Sequence, residues 1–290
     1  MSVDLERIVA IDVHVHAERN TGEPQDPVTG EVLAAAARYF GGSPPQPTAQ
    51  EVADYYRERK IVAVIFNVDD EYGMGRRRLG NDEVLAAAEA NPDVLIPFAS
   101  VDPHKGKLGV REARELTARG ARGFKFHPNT QAFWPNDRTF YPLYEVIAEA
   151  GLIALFHSGT TGIGAGMPGG GGVHLKYSNP MAVDDVAADF PELEIILAHP
   201  SFPWQDEALA IAVHKPNVYI DLSGWSPKYF PENLIRYTNT LLKHKMLFGS
   251  DYPLITPDRW LADFEKLAIR EEVRPLVLKD NAVKLLGLAP

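Results

Sequence analysis

Eight short apolar runs alternate with amphipathic segments along the whole chain, and this alternation limits the fold more than any other feature. Runs of this length and composition are typical of buried strands. Buried strands that alternate with helices form a parallel sheet covered on both faces, or a barrel. Eight units without a break predict an α/β chain folded as a (β/α)8 TIM barrel. The runs cover residues 8–14, 61–68, 94–101, 121–127, 152–157, 193–199, 218–222 and 246–251.

Start and stop signals place helices between these runs. Thr48 and Glu51 form a possible capping box for a helix that reaches Lys60, and Asn81 or Asp82 is expected to cap the next one. A doubly wound open sheet is the alternative fold, but no G-x-G-x-x-G follows the first run. Further helices are predicted over residues 31–39, 109–119, 141–150, 180–190, 205–214, 231–243 and 257–267.

Length and composition narrow the class of protein. The 290 residues show no linker or repeat beyond the alternation, so a single domain over residues 1–290 is expected. The net charge of −10 argues against a general nucleic-acid or anionic-membrane surface. With no signal-peptide pattern and no long apolar stretch, the expected location is the cytoplasm, with a small-molecule substrate and possible homo-oligomers as partners. The absence of cysteine restricts any metal site to histidine and carboxylate ligands.

The first run ends in Asp12-Val13-His14-Val15-His16. Side chains two apart on a strand share a face, so His14 and His16 should point the same way, as should Asp12. Two buried imidazoles on one face suit a divalent metal, which binds their lone pairs. A pair of hydrogen-bonded core histidines would give the same motif, which is short and weak alone.

Polar residues at the ends of other runs strengthen the metal interpretation. Barrel geometry gathers strand C-terminal ends around one mouth, where barrel enzymes build their active sites. Five of the nine histidines lie at such ends, whereas His104, His174, His214 and His244 fall in loops or helices and are expected to be solvated. The residues at the ends are His14, His16, Lys125, His127, His157, His199 and Asp251.

Two long connections follow strands on the same side. The segment 17–47 is rich in proline and glycine, and the segment 158–179 contains four consecutive glycines from Gly169. The second is expected to be a flexible surface loop, or else a mobile lid or a backbone contact to the substrate. Trp204 and Trp225 also follow strands and could stack on a planar substrate, although they could equally pack loops onto the barrel. Arg19 and the triplet 76–78 could meet an acidic substrate, or could be solvated surface charge.

The combined motifs resemble the amidohydrolase superfamily, within it the amidohydrolase-2 branch of aminocarboxymuconate-semialdehyde decarboxylase-like enzymes. The similarity covers nearly the whole chain. It implies a TIM barrel of the metal-dependent hydrolase type, with one divalent metal held by His14, His16, His157 and Asp251. Zinc is the expected metal, and His199, with Asp251, would be a catalytic acid or base. The matching blocks are residues 12–16, Phe156-His157, 197–200, 247–253 and 280–286.

Lys125 and His127 leave the metal count open. Binuclear members of the superfamily carry a carboxylated, metal-bridging lysine on the fourth strand, and His157 and His199 would then hold a second metal. Lys125 could instead bind a substrate carboxylate or carbonyl oxygen as a plain cation. His127 is either a substrate contact or a histidine hydrogen-bonded to its own loop. One metal is favoured, since the branch that this chain most resembles is mononuclear.

Three functions follow from this pattern. The first is a metal-dependent hydrolase that uses activated water on a carbonyl of a small, aromatic-derived or carboxylated substrate, with C–C, C–O or C–N cleavage. The second is a nonoxidative metal-dependent decarboxylase. The third is an inactive barrel that binds metal or ligand without turnover. Both histidines of the H-x-H motif are present and the chain is short for the decarboxylases, so hydrolysis is favoured.

Overall fold

All eight predicted strands are present in the computed structural model, which describes residues 3–22, 27–40, 45–77 and 79–288, with Tyr39 and Phe40 as backbone only. Each strand overlaps one of the apolar runs. Most are short, because the ends of the runs continue as irregular segments that carry polar side chains. The strands are β1 Ala10–His16, β2 Ile61–Phe66, β3 Leu95–Pro97, β4 Gly123–Phe126, β5 Ile153–His157, β6 Glu194–Ala198, β7 Val218–Asp221 and β8 Met246–Leu247.

The strands form two parallel ladders, β1-β2-β3 and β4-β5-β6-β7-β8, in sequence order. A single parallel bridge between Ala99 and Phe124 joins the two ladders at one edge, and a bridge between Val15 and Tyr252 joins them at the other. Further backbone hydrogen bonds, such as Val13 N to Phe248 O at 2.9 Å, reinforce the second junction. The order and direction of the strands are those of a (β/α)8 barrel, which confirms the predicted fold class.

Helices lie between successive strands and cover them. The Thr48–Glu51 capping box is confirmed, because each residue's side chain accepts from the other's backbone N–H. The predicted cap at Asn81 or Asp82 is wrong: Gly80 precedes the helix, and the amide of Asn81 instead bonds the backbone of Ser100. The helices are α1 Pro27–Phe40, α2 Ala49–Glu58, α3 Glu71–Met74, α4 Asn81–Ala90, α5 Lys107–Ala118, α6 Pro128–Gln131, α7 Tyr141–Glu149, α8 Met181–Asp189, α9 Gln205–His214, α10 Glu232–Thr238, α11 Pro257–Phe264 and α12 Asn281–Leu285.

Buried apolar side chains separate into two layers. The larger cluster joins alternate strand residues, such as Ala154 and Phe156, to the surrounding helices. The smaller cluster holds the intervening residues, such as Ile153 and Leu155, and is closed at one end by residues of α12. This alternation follows from the two-residue period of a strand. It assigns each strand position to the inside or the outside of the barrel.

A register shift in β1 breaks this alternation between Asp12 and Val15. Ile11 and Val13 belong to the inner cluster and Val15 to the outer one. The expectation that Asp12 shares a face with His14 is therefore wrong, since Asp12 accepts a hydrogen bond from Tyr56 of α2, in the outer layer. Within the described part of the chain, none of the helices has the length and apolarity needed to cross a bilayer.

Candidate metal centre and active site

A cavity of about 690 Å³ opens among the C-terminal ends of the strands. It gathers the polar side chains that the sequence placed at those ends. Residues of the glycine-rich connection after β5 also line it, as do residues of α1. The polar strand-end residues in its wall are His14, His16, Lys125, His127, His157, His199 and Asp251.

The rings of His14 and His16 both contact the carboxylate of Asp251. The Nε2 atoms of both histidines lie 3.3 Å from Asp251 Oδ1. Donor atoms of a tetrahedral zinc site with bonds of about 2.0–2.1 Å stand roughly 3.3–3.4 Å apart. Each imidazole therefore lies at the distance of a co-ligand from the carboxylate, and the three groups have the chemistry of ligands to one divalent cation.

The charge states of these groups favour a cation. Burial is the main cause that lowers the pKa of His14, with the nearby Lys125 adding to it, so the imidazole is neutral and keeps a lone pair. Burial alone would raise the pKa of Asp251, but the hydrogen bond from His16 and the attraction of His14 and His199 hold it below its usual range. A neutral imidazole and an ionised carboxylate are the forms that bind metal.

Asp221, at the end of β7, orients His14 from behind. Its Oδ2 atom lies 2.9 Å from His14 Nδ1, and both residues are fully buried. A carboxylate on Nδ1 places the proton there and leaves Nε2 as the ligand atom, an arrangement common behind metal-bound histidines. The backbone N–H of Ser223 donates to the other oxygen of Asp221 at 2.9 Å, which fixes the carboxylate.

His199 lies beside this group and contacts His157. His199 Nε2 and His157 Nδ1 are 3.0 Å apart, and Ser223 Oγ lies 2.9 Å from His199 Nδ1. His14, His199 and Asp251 each offer a ligand atom within 4.8 Å of the others. The structure thus brings together three of the four predicted ligands, His14, His16 and Asp251, while His157 reaches them through His199.

His199 and Asp251 have left-handed backbones, with φ of 73° and 67°. Such conformations cost non-glycine residues on the order of 1–3 kcal/mol and cluster at functional sites. Because Ala198 belongs to the inner layer, a regular strand would direct His199 outward, and the turn in the backbone brings it into the cavity. Gly224 leaves room for the ring: a Cβ there would lie 2.4 Å from His199 Nδ1.

Lys125 is fully buried, and its Nζ atom lies 3.2 Å from His14 Nε2. Burial lowers the pKa of its ammonium group to about 8, although Asp221 and Asp251 oppose the shift. The lysine therefore contacts the same nitrogen that is expected to bind metal. Both interpretations of Lys125, a cation for substrate oxygens and a carboxylated bridge, remain predictions.

His127 stacks on His157 with ring centroids 3.9 Å apart and an interplanar angle of 10°. His127 Nδ1 and His157 Nε2 are buried and have no hydrogen-bond partner among the described residues. Buried polar atoms are nearly always satisfied, so such pairs call for a ligand, ion or water. The alternative that His127 bonds its own loop through its ring is not supported.

Of the other residues predicted to bind substrate, one lines the cavity and two lie away from it. Trp225 lines the cavity and contacts Phe202, with ring centroids 5.5 Å apart. Trp204 is not among the residues that line it and sits half-buried at the start of α9. Arg19 instead pairs with Glu51 near the surface.

Of the remaining arginines and histidines singled out from the sequence, some line the cavity and others do not. Arg76 and Arg77 line it, and Arg76 forms a two-point ion pair with Asp70. Arg78 lies outside the described residues. Of the four histidines expected to be solvated, His104 is instead half-buried, because it stacks on Tyr72 and bonds the Gln131 carbonyl. His174, His214 and His244 are exposed.

Sequence reasoning missed Asp221 and Ser223. Asp221 ends β7 as His157 ends β5, so the same rule that selected the other strand ends could have found it. Ser223 carried no such signal, since serine is common after strands. Its role depends on its position between His14 and His199, 3.0 and 2.9 Å from one nitrogen of each ring.

Comparison with known proteins shows similarity over the whole barrel. The uncharacterized TIM-barrel protein Bb4693 from Bordetella bronchiseptica is 23% identical, with a TM-score of 0.77 over 96% of this chain and 98% of that one. The 5-carboxyvanillate decarboxylase from Novosphingobium aromaticivorans, solved with manganese and 4-hydroxy-3-methoxy-5-nitrobenzoic acid, is 14% identical, with a TM-score of 0.66 over 98% of both chains. At these identities the likeness shows the fold.

A curated relative matches a shorter stretch. The Protein fluG of Emericella nidulans is 30% identical over 95 residues, which are 31% of this chain. The match spans about a tenth of that protein's length, namely 11%. The amidohydrolase family model Amidohydro_2, in contrast, matches residues 11–288 and includes every strand-end residue described above. The chain therefore belongs to the amidohydrolase family, and it is an enzyme of the amidohydrolase-related type.

Proposed function

We propose that this protein is a hydrolase that uses one divalent metal to cleave a carbonyl compound with water. The observation that carries the proposal is the shared contact of His14 and His16 with Asp251 Oδ1 at 3.3 Å, beside a neutral His199. A cation and a separate proton carrier at one cavity floor are the two parts that hydrolysis of a carbonyl requires.

His14, His16 and Asp251 would hold the metal, and His157 is the fourth ligand that the family resemblance implies. Zinc suits histidine and carboxylate donors, while the related decarboxylase was solved with manganese. When bound, the ion would supply Lewis acidity toward water and toward a carbonyl oxygen. Asp221 would keep His14 Nε2 directed at the site by holding the proton on Nδ1.

His199 is the better proton carrier of the two proposed catalytic residues. Burial is the main cause that lowers the pKa of its imidazole, which leaves the ring neutral and able to accept a proton. Asp251 has a pKa held below its usual range, which suits a ligand and makes a weak base. We therefore assign proton transfer from water to the leaving group to His199, with Ser223 fixing the ring through Nδ1.

The substrate has an oxygen-rich end and a planar or apolar part. Lys125 and His127 offer donors for carbonyl or carboxylate oxygens at the cavity floor. Trp225 and Phe202 supply aromatic surface near them. This pairing supports an aromatic-derived or carboxylated organic compound.

Decarboxylation is the second candidate, favoured by Lys125, whose buried cation could hold a substrate carboxylate next to the metal. The two reactions differ in their products. Protein loaded with zinc or with manganese should be incubated with a panel of lactones, esters, amides, β-diketones and hydroxybenzoates. We expect acid release without CO2; CO2 release without acid would favour the decarboxylase, and release of neither across the panel would contradict both.

His199→Ala tests the proton carrier directly. Loss of a general acid or base typically lowers turnover by about 10²–10⁴-fold. We expect that loss with metal content unchanged from wild type, and His214→Ala, an exposed histidine of α9, is the matched control. Loss of metal together with turnover would assign His199 to the ligands instead. Two metals per chain with a carboxylated Lys125 would establish the binuclear alternative.

A further inference from the structure

Helix α1 buries an apolar stripe that is not part of the barrel core. Val32 and Ala36 are 3% and 6% exposed, yet they belong to neither of the two core clusters among the described residues. Thr29, Val32, Leu33 and Ala36 all line the cavity of the metal centre. Their spacing of three and four residues is that of one helix face. The face of α1 formed by these four residues is thus turned toward the cavity.

The connection after β5 adds a second apolar surface to the same cavity. Ile163, Met167, Val173 and Leu175 line it together with other residues of the segment 160–166. This segment is folded closely on itself, because a Cβ at Gly164 would lie 2.0 Å from the Gly170 carbonyl oxygen. Glycine is required there, and the close approach brings the apolar side chains of the connection into a compact wall.

The cavity is larger than the metal centre needs. Its volume of about 690 Å³ falls in the range of roughly 300–1,000 Å³ that holds drug-sized ligands. The polar strand ends occupy its floor, and Arg76 in its wall is engaged in an ion pair with Asp70. Much of the remaining lining is aliphatic, so its natural occupant is apolar.

From these observations we infer that the substrate carries an extended apolar arm, an acyl or arylalkyl chain longer than a single ring, which lies along Val32, Leu33 and Ala36 of α1. The inference rests on the proposed function, since the oxygen end of the substrate would sit at the metal centre. It extends that function by naming the second part of the substrate. Esters, amides and thioesters of long-chain acids satisfy both requirements.

A hydroxamate series tests the arm separately from the reaction. Acetohydroxamate, hexanohydroxamate and octanohydroxamate present the same metal-chelating head with tails of increasing length. Binding to the metal-loaded full chain is measured by isothermal titration calorimetry, which needs no turnover. We expect the affinity to rise by about fourfold for each methylene that becomes buried.

Matched variants of α1 locate the tail. Leu33→Glu places a carboxylate on the stripe and should reduce octanohydroxamate binding to the level of acetohydroxamate, which should itself bind as in wild type. Ala34→Glu is the control, because Ala34 is exposed on the same helix and does not line the cavity. Ala36→Phe fills the space with an apolar ring and should shorten the longest tail that gains affinity.

The outcomes separate this inference from the proposed function. Equal affinity across the series in wild type would overturn the apolar arm while leaving the metal centre intact. A gain with tail length that survives both Leu33→Glu and Ala36→Phe would overturn the assignment to α1. If no hydroxamate binds metal-loaded protein, that result would contradict both the metal centre and the apolar arm.

Discussion

Asp12 and Asp221 are both carboxylates with no exposed surface, but they lie on opposite sides of the barrel wall. Asp221 faces inward and contacts His14 Nδ1. Asp12 faces outward and accepts hydrogen bonds from the hydroxyls of Tyr56 and Ser250 and from two backbone N–H groups. One carboxylate contacts a proposed metal ligand, and the other ties β1 to the segment after β8 and to α2.

The difference teaches that burial alone does not mark a functional acid. Burial raises the pKa of Asp12 to about 7 even though the Ser250 and Tyr56 hydrogen bonds oppose it, so by its pKa it would look like an active-site group. Its partners, however, are neutral donors outside the cavity. We interpret Asp12 as structural and Asp221 as part of the proposed metal centre, and each assignment can be tested separately.

Removal of the metal should give the largest effect. A ligand at 100 times its dissociation constant stabilises a fold by about 2.7 kcal/mol. We expect chelator-treated wild-type protein to lose about that much unfolding free energy in urea, with recovery when zinc is restored. Asp12→Asn protein should show the same loss, because its metal centre is intact. Identical unfolding curves with and without metal would contradict a cation at this site.

Asp221→Asn should weaken metal binding by about 10–100-fold, the usual effect of losing a hydrogen-bonding partner behind a ligand. The single amide oxygen can accept from His14 Nδ1 or from the Ser223 N–H but not from both, so the unfolding free energy should also fall, by about 1–2 kcal/mol. Competition with a chromophoric zinc chelator measures the affinity. An unchanged affinity would remove Asp221 from the metal centre, whereas an equal loss in Asp12→Asn would erase the distinction between the two carboxylates.

Asp12→Asn should lower the unfolding free energy by about 1–2 kcal/mol without weakening metal binding. Oδ1 can still accept from the backbone N–H groups of His14 and Ser250, but the new amide group would face two hydroxyl donors. Those hydroxyls must reorient to accept, at the cost of a buried hydrogen bond. Urea unfolding at saturating zinc checks this, and a variant as stable as wild type would disprove the structural role.

Tyr56→Phe should have the smallest effect, a loss of about 1 kcal/mol of unfolding free energy, because it removes one hydroxyl at 2.8 Å from Asp12. Metal affinity and turnover should match wild type. Tyr55→Phe is the control, because the Tyr55 hydroxyl contacts Asp258 at 3.3 Å rather than Asp12. A drop in metal affinity in Tyr56→Phe would show that the outer wall and the metal centre are coupled.

Much of the barrel could be predicted because its periodicities are local. Eight apolar runs gave eight strands, and the position of Lys125, His127 and His157 at strand C-terminal ends predicted the mouth of the barrel, where they line the cavity. The Thr48–Glu51 capping box was likewise visible within four residues. Signals of this kind survive in the sequence, since each depends on neighbours along the chain.

Alternation failed where the backbone leaves the regular strand. The register shift in β1 turned Asp12 outward, and the left-handed backbone at His199 turned its ring inward. Trp204, which follows β6 as Trp225 follows β7, sits away from the cavity because α9 begins there. None of these departures has a periodic pattern that a sequence alone would reveal.

The sequence by itself determined the strand order, the side of the barrel that carries the chemistry, and the residue types available there, because strand period and strand ends are properties of short segments. Only the tertiary structure decided which of those residues touch. The pairing of Asp221 with His14 joins positions 207 residues apart, and the meeting of His14 and His16 with Asp251 depends on how the last strand closes against the first. Such contacts are set by the closure of the barrel, which no local pattern encodes.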